Sequence, residues 1–124
     1  MSNNNTVCWI DIPVENLDRA IAFYQAILCK PVSKVAEHGF EFGLLPHENN
    51  NVSGCLVVME DRKPSINGPM IYLNVDSRLD QATKAALEHG GKIVQEKRSI
   101  GPFGFRAVVT DSEGNNIGLY SSVA

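Results

Sequence analysis

Side chains that could bind a metal ion or transfer a proton are few in this chain of 124 residues. His38, His47 and His89 are its only histidines, and the segment HENNN at 47–51 lacks the HExxH spacing that puts two ligands on one helical face. His89 falls in the last turn of a predicted helix, where a cation complements the helix dipole without any further role. The spacing of the histidines therefore predicts no site.

Asp11 is the carboxylate with the most suggestive surroundings, because it lies on the same strand parity as Trp9. A carboxylate beside an aromatic ring in a cleft is a candidate general base. The competing interpretation is that Asp11 accepts a hydrogen bond from a neighbour such as Tyr72 or Arg106. Asp11 is a weak catalytic candidate, and the sequence offers no stronger one.

The cysteine content, the net charge and the hydropathy indicate the compartment and the partners that we expect. Cys8, Cys29 and Cys55 are odd in number and form no CxxC pair, which favours buried structural thiols in a reducing compartment. The formal net charge of -3, without a basic run, makes nucleic acid an unexpected partner. The start MSNNNTV has no targeting pattern and no apolar run could span a membrane, so we expect a cytoplasmic protein with no membrane partner.

The elements that position these residues occur twice along the chain. A strand over 7–14 precedes a helix that Asn16 caps and Pro31 ends; a strand over 70–75 precedes a helix predicted to start at a Ser77–Asp80 capping box and to end at Gly90. Three strands follow each helix, over 32–36, 40–45 and 54–60, and over 93–98, 104–110 and 116–121. The pattern predicts one α+β domain, 1–124, built from two βαβββ modules at about 6–61 and 68–122.

Strand parity divides the side chains of these strands between two faces. One parity is apolar and is predicted to pack under the helices: Cys8, Ile10, Ile12, Ile71, Leu73, Val75, Ile117 and Leu119. The other parity mixes aromatic, sulfur and polar residues: Trp9, Asp11, Met70, Tyr72, Asn74, Asn116, Gly118 and Tyr120. Such a face is typical of either a ligand cleft or a dimer interface, and both interpretations stay open.

The paired modules resemble the vicinal oxygen chelate superfamily of glyoxalase I, bleomycin resistance proteins and extradiol dioxygenases. The resemblance covers essentially the whole chain and rests on IPVENLDRAIAFYQAIL, on YLNVDSRLDQATKAALEHGGKIV and on DSEGNNIGLYS. It implies a glyoxalase/bleomycin resistance-like fold, in which curved sheets form a cleft-shaped, partly open barrel that is often completed in a homodimer.

The metal enzymes of that superfamily hold a divalent ion on His, Gln or Glu side chains from the first and last strands of both modules. The matching positions here are Trp9, a residue near Leu56, Met70 and Gly118. None offers the nitrogen or carboxylate oxygen that such a metal needs. We therefore expect no metal and no other cofactor.

The resemblance and the residues together predict a protein that binds a small, partly aromatic or amphipathic molecule. The predicted contacts are Trp9, Asp11, Leu56, Met70, Tyr72, Asn74, Phe103, Phe105, Gly118 and Tyr120. The segment 99–106 is either a flap that places Phe103 or Phe105 over the cleft or an ordinary hairpin. Two alternatives stay open: a glyoxalase-like lyase or dioxygenase with displaced metal ligands, and a dimeric interaction module.

Overall fold

The computed structural model describes residues 5–37, 39–49 and 51–124, and it consists of two helices, a short 3-10 turn and two four-stranded sheets. The elements of the first half are β1 (Trp9–Pro13), α1 (Leu17–Leu28), β2 (Ser33–Glu37), β3 (Phe40–Leu44) and β4 (Ser53–Val57). Those of the second half are β5 (Ile71–Asn74), α2 (Leu79–Glu88), β6 (Lys92–Ser99), β7 (Phe105–Thr110) and β8 (Asn116–Ser121). The order strand, helix and three strands is therefore present twice, as predicted.

Each sheet takes its strands from one half of the chain. The strand orders are β1-β4-β3-β2 and β5-β8-β7-β6, and in both sheets the first and last strands of the module pair in parallel. The remaining neighbours are antiparallel, and the two sheets do not close on one another. This is the α+β arrangement of two βαβββ modules predicted from the sequence.

The two helices begin in different ways. Asn16 caps α1 as predicted, since its side-chain oxygen accepts a hydrogen bond from Arg19 N at 3.0 Å. The predicted capping box of α2 is wrong: the cap is Arg78, which makes no side-chain cap bond, and Ser77 adopts a positive φ of 64°. Ser77 instead donates its N–H to Ser121 Oγ at 3.0 Å, so β8 fixes the entry to α2.

One hydrophobic core is shared by both halves, and α1 and α2 pack against each other within it. Phe23, Tyr24 and Ile27 of α1 are fully buried, as are Ile12 and Ile117 from the two sheets. The predicted inward parity holds in the strand interiors but not at Cys8, which is exposed because it precedes β1. The prediction of buried thiols is likewise wrong for Cys8 and Cys29 and right only for Cys55.

The turn before β8 joins the halves through polar contacts. Buried Asp111 accepts a 2.6 Å hydrogen bond from the Tyr24 hydroxyl, and Asn115 donates to Pro13 O at 2.8 Å. Glu113 accepts the N–H groups of Glu15 and Asn16 ahead of α1, at 2.9 and 2.8 Å. The D-x-E-G-N turn therefore locks the second module onto the first helix.

Neither α1 nor α2 is long and apolar enough to cross a membrane, and this holds for every helix in the described part of the chain.

Candidate functional site

A cleft of about 880 Å³ lies between β1 and β5, where the two modules meet. Its floor comes from Trp9 and Asp11 of β1 and from Met70 and Tyr72 at β5. The connection between the modules, 61–69, contributes one wall, and Asn115 and Asn116 at the start of β8 contribute another. Four of the ten predicted contact residues therefore lie in one concavity.

The cleft keeps large apolar side chains in contact with solvent. Trp9 is 37% exposed, Met70 40% and Tyr72 44%. Soluble proteins usually bury such groups, and several of them around one concavity are typical of a surface that binds something.

Asp11 pairs with a thiol in the first module. It stands opposite Cys55 in the parallel β1–β4 register, and Cys55 Sγ donates to Asp11 Oδ1 at 3.3 Å. Burial, reinforced by this hydrogen bond to a carboxylate, raises the pKa of the Cys55 thiol to about 11. Cys55 is therefore a protonated thiol near neutral pH and not a nucleophile, and the predicted Asp11 partners Tyr72 and Arg106 are wrong.

Tyr72 and Gly118 occupy the corresponding position of the second module. They are opposite each other in the parallel β5–β8 register, and a Cβ added to Gly118 would lie 2.7 Å from Tyr72 Cδ2. The ring of Tyr72 therefore lies directly on β8 because glycine leaves room for it. At the far edge of the ring, Arg106 Nη1 on β7 donates a short hydrogen bond to the Tyr72 hydroxyl.

Three further polar side chains, Asn116, Arg62 and Lys63, line the cleft. Asn116 Oδ1 is enclosed and has no hydrogen-bond partner among the described residues, although buried amide oxygens usually have one. Arg62 and Lys63 line the cleft. In the sequence they belong to the run of mixed charges at 60–63, a pattern that is typical of a solvent-exposed strand end. The path of the long inter-module connection, which no local pattern encodes, brings them there.

Two predicted contact residues face the wrong side of their sheets. Leu56 is fully buried in the core, opposite Ile12, and Phe105 packs against the same core from β7. The sequence did not show which residues of β4 point into the core. The register with β1 shows that Cys55, opposite Asp11, is on the same face of the sheet as Asp11. Phe105 follows the buried parity of Ala107 and Val109, so the open-face residue beside it is Arg106.

The remaining predicted contacts lie around the cleft rather than in it. Asn74 lines a neighbouring cavity of about 330 Å³, which Tyr72 also borders. Tyr120 lies on the open face opposite both Asn74 and Arg106, and its hydroxyl donates to the carbonyl of Phe103. Phe103 is 72% exposed in the 3-10 turn Gly101–Phe103, so segment 99–106 has the form of a hairpin and Phe103 does not line the cleft.

His47 and His89, the two histidines within the described residues, do not line this cleft. His47 lines a separate cavity of about 630 Å³ beside Glu48. His89 Nδ1 lies 2.9 Å from Ala85 O at the end of α2, in keeping with a structural role. His38 lies outside the described residues.

This chain matches a protein family and several solved structures. The model of the Glyoxalase/Bleomycin resistance protein/Dioxygenase superfamily matches residues 6–119. This chain belongs to that superfamily. A crystal structure of a glyoxalase/bleomycin resistance protein from Albidiferax ferrireducens T118 superposes with a TM-score of 0.73 at 18% identity, covering 94% of this chain and 98% of that one.

Two further comparisons found one protein of the same fold and one relative in sequence. A family enzyme from Burkholderia phytofirmans PsJN superposes with a TM-score of 0.70 at 14% identity, over 92% of this chain and 96% of that one. "Putative glyoxylase CFP32" of Mycobacterium tuberculosis (strain CDC 1551 / Oshkosh) is 29% identical over 116 residues, or 92% of this chain. The match spans only 43% of the length of CFP32.

The residues at the superfamily's metal positions do not fit a divalent ion. Trp9, Met70 and Gly118 supply no donor that such an ion prefers. The register identifies the fourth position, predicted near Leu56: Cys55 opposite Asp11 is equivalent to Gly118 opposite Tyr72, so the residue is Cys55. Cys55 is the one possible donor among these four positions, and the described residues contain no group of three or more His, Cys, Asp or Glu that could hold a metal.

Proposed function

We propose that this chain binds a small aromatic or amphipathic molecule in the cleft between β1 and β5, and that it does so without a bound metal ion. The observation that carries the proposal is the half-exposed set of Trp9, Met70 and Tyr72 around one concavity of about 880 Å³. That volume falls in the range of roughly 300–1,000 Å³ in which proteins hold small ligands.

The three side chains suit the recognition of a flat, apolar group. Trp9 and Tyr72 offer ring faces for stacking, and the thioether of Met70 adapts to irregular shapes. Tyr72 is already held in place, since its ring lies on Gly118 and its hydroxyl accepts from Arg106. A preorganised ring loses little side-chain entropy when the ligand binds, which favours affinity.

The polar groups of the cleft would fix the orientation of the ligand. Asn116 Oδ1 is an enclosed acceptor without a partner, so a ligand N–H or O–H would satisfy it. Asp11 is a second acceptor on the cleft floor, with one oxygen already bonded to Cys55. Asn74 borders only the smaller cavity, so it would contact a ligand long enough to pass Tyr72.

Metal-dependent lyase or dioxygenase chemistry has no support in these residues. The reaction needs a Lewis acid to polarise vicinal oxygens, and Trp9, Met70 and Gly118 supply no ligand for one. Elemental analysis of protein purified without an affinity tag tests this part of the proposal. Stoichiometric Ni, Zn, Fe or Mn would overturn it.

Fluorescence of Trp9 provides the direct binding test, because it is the only tryptophan of the chain. We expect at least one member of a broad metabolite and antibiotic library to change its emission saturably. Tyr72→Ala should weaken that binding by roughly tenfold or more, since it removes a stacking surface. Phe103→Ala, which removes an exposed aromatic outside the cleft, should leave the affinity unchanged.

Sedimentation separates a ligand cleft from a protein interface on the same face. If Trp9, Met70 and Tyr72 line an open cleft, Tyr72→Glu leaves the sedimentation coefficient of the wild-type protein unchanged. A dimer that dissociates in Tyr72→Glu, together with a library that never perturbs Trp9, would replace small-molecule binding by pairing with a second copy.

A further inference from the structure

Arg98 and Arg106 are directly opposite each other on the antiparallel strands β6 and β7. Opposed residues of antiparallel strands project from the same face of the sheet. Arg106 is also opposite Tyr120, which shares the open face with Tyr72. The side chains of Arg98 and Arg106 therefore project from the open face of the second module at directly opposed positions.

This pair has no counter-ion within the described part of the chain. The ion pairs there join Arg19 with Glu113, Lys34 with Asp18 and Glu41, and Lys97 with Asp80. Arg106 Nη1 donates to a neutral tyrosine hydroxyl, and Arg106 Nε is enclosed without any acceptor. Like charges directly opposed across strands are unfavourable, and no ion pair among the described residues offsets this repulsion.

Tyr72 connects the arginine pair to the cleft. One part of its ring lines the cleft of about 880 Å³, and its hydroxyl contacts Arg106. Gly118 is essential to this connection, because a larger residue would lift the ring away from β8 and from Arg106. A ligand stacked on Tyr72 would therefore direct one end toward the two arginines.

We infer that Arg98 and Arg106 form an anion subsite that binds a carboxylate or phosphate on the aromatic ligand of the cleft. The inference rests on the proposed function and names its ligand class: a flat aromatic group that carries an anionic oxygen group at one end. The guanidinium fork matches the planar, bidentate geometry of a carboxylate and also accepts the oxygens of a phosphate.

Matched ligand pairs that differ only in charge test the subsite. The probes are 2-naphthoate with 2-naphthamide, indole-3-acetate with indole-3-acetamide, and 2-naphthyl phosphate, titrated by calorimetry against the full chain. We expect the anions to bind roughly tenfold or more tightly than the matched amides, because hydrogen bonds to charged groups are stronger than neutral ones. A preference for the phosphate over naphthoate would identify phosphate esters as the ligand class, and the reverse would identify carboxylates.

Two variants and a control locate the effect. Arg98→Gln should reduce the preference for the anion over the amide and leave the affinity for the amide unchanged. Arg106→Gln also removes the hydrogen bond that holds Tyr72, so it should reduce the preference for the anion and weaken the binding of the amide as well. The double variant should abolish the preference for the anion. Lys97→Gln is the matched control, because Lys97 neighbours Arg98 in sequence but pairs with Asp80 of α2. Arg98→Gln should leave the urea midpoint unchanged or raise it, since it relieves charge repulsion, whereas a merely structural arginine would lower it.

The outcomes separate this inference from the proposed function. Equal affinity for acid and amide, or a charge preference that survives in the double variant, overturns the anion subsite and leaves the cleft proposal standing. No binding of any probe also overturns the subsite. A library that in addition never perturbs Trp9 overturns the cleft as well.

Discussion

Asp11 stands opposite Cys55 in the first module, and at the equivalent place in the second module Tyr72 stands opposite Gly118. The next position along each strand pair is apolar in both modules: Ile12 is opposite Leu56, and Leu73 is opposite Leu119. The inward side of the duplicated sheet thus repeats, because both halves pack on one core. The outward side does not repeat, because no packing requirement links its residues.

The difference makes the two halves of the cleft chemically unlike. The first module presents a carboxylate bonded to a protonated thiol, and the second presents a ring fixed between a glycine and an arginine. A ligand held between them would meet an acceptor on one side and a cationic, aromatic surface on the other. The specificity that we propose for the cleft therefore depends on the asymmetry of the open face and not on the fold, which both modules share.

The largest expected effect is the difference in stability between a variant on the inner side of β4 and a variant on its outer side. Leu56→Ala should lower the free energy of unfolding by about 2–5 kcal/mol, because it leaves a cavity in the shared core. Cys55→Ala, one residue away on the cleft side, should cost about 1 kcal/mol. Urea denaturation of both variants measures the contrast, and equal losses would contradict the assignment of these residues to opposite faces.

The contact between the modules provides the next comparison. Glu113 accepts hydrogen bonds from Arg19 Nε at 2.7 Å and from two backbone N–H groups ahead of α1. Glu113→Gln should cost roughly 1–3 kcal/mol of unfolding free energy, since it replaces charge-assisted bonds by neutral ones. Glu48→Gln, in the corresponding connection of the first module, should cost almost nothing.

The same carboxylate predicts a pH dependence. Burial raises the pKa of Glu113, but the hydrogen bonds from Arg19, from Ser112 and from the N–H groups of Asn16 and Glu15 outweigh burial and lower it from 4.5 to about 2. A lowered folded-state pKa contributes stability above about 4.5 that is lost as pH falls toward 2. Urea titrations across this range should show a steeper loss in the wild-type protein than in Glu113→Gln, and identical slopes would contradict this role.

A smaller effect is expected at the glycine of the second module. Gly118→Ala should cost about 1 kcal/mol, because the new Cβ displaces the Tyr72 ring. It should also weaken ligand binding at the cleft, whereas the double variant Gly118→Ala, Tyr72→Ala should recover the lost stability. Urea denaturation of both variants decides the point; a double variant less stable than Gly118→Ala would show that the ring does not lie on β8.

The smallest expected effect is a difference in the reactivity of the three cysteine thiols. Iodoacetamide at pH 7–8 should alkylate exposed Cys8 and Cys29 and leave Cys55 unmodified, since Cys55 is buried and its thiol has a pKa of about 11. Peptide mapping by mass spectrometry reads all three sites in one experiment. Modification of Cys55 at a rate equal to that of Cys29 would contradict its protected position beside Asp11.

Local pattern predicted the elements and most of the open face. Period-two alternation located β1, β5 and β8, and it placed Trp9, Asp11, Tyr72 and Gly118 on the same side of their sheets. The position near Leu56 was predicted from the family resemblance, and parity could not refine it because β4 has apolar residues at consecutive positions. Phe105 was predicted as part of a possible flap at 99–106, while its parity with Ala107 and Val109 indicated the core.

The sequence by itself determined the duplicated βαβββ order, because caps, breakers and hydrophobic period are local properties that need no partner to be recognised. Only the tertiary structure decided which residues meet: Asp11 with Cys55, Tyr72 with Gly118 and Arg106, and Arg98 with Arg106. These contacts depend on strand register and on the path of long connections. The apolar alternation fixes the face on which each side chain lies, but it does not say which residue of one strand stands opposite which residue of the next.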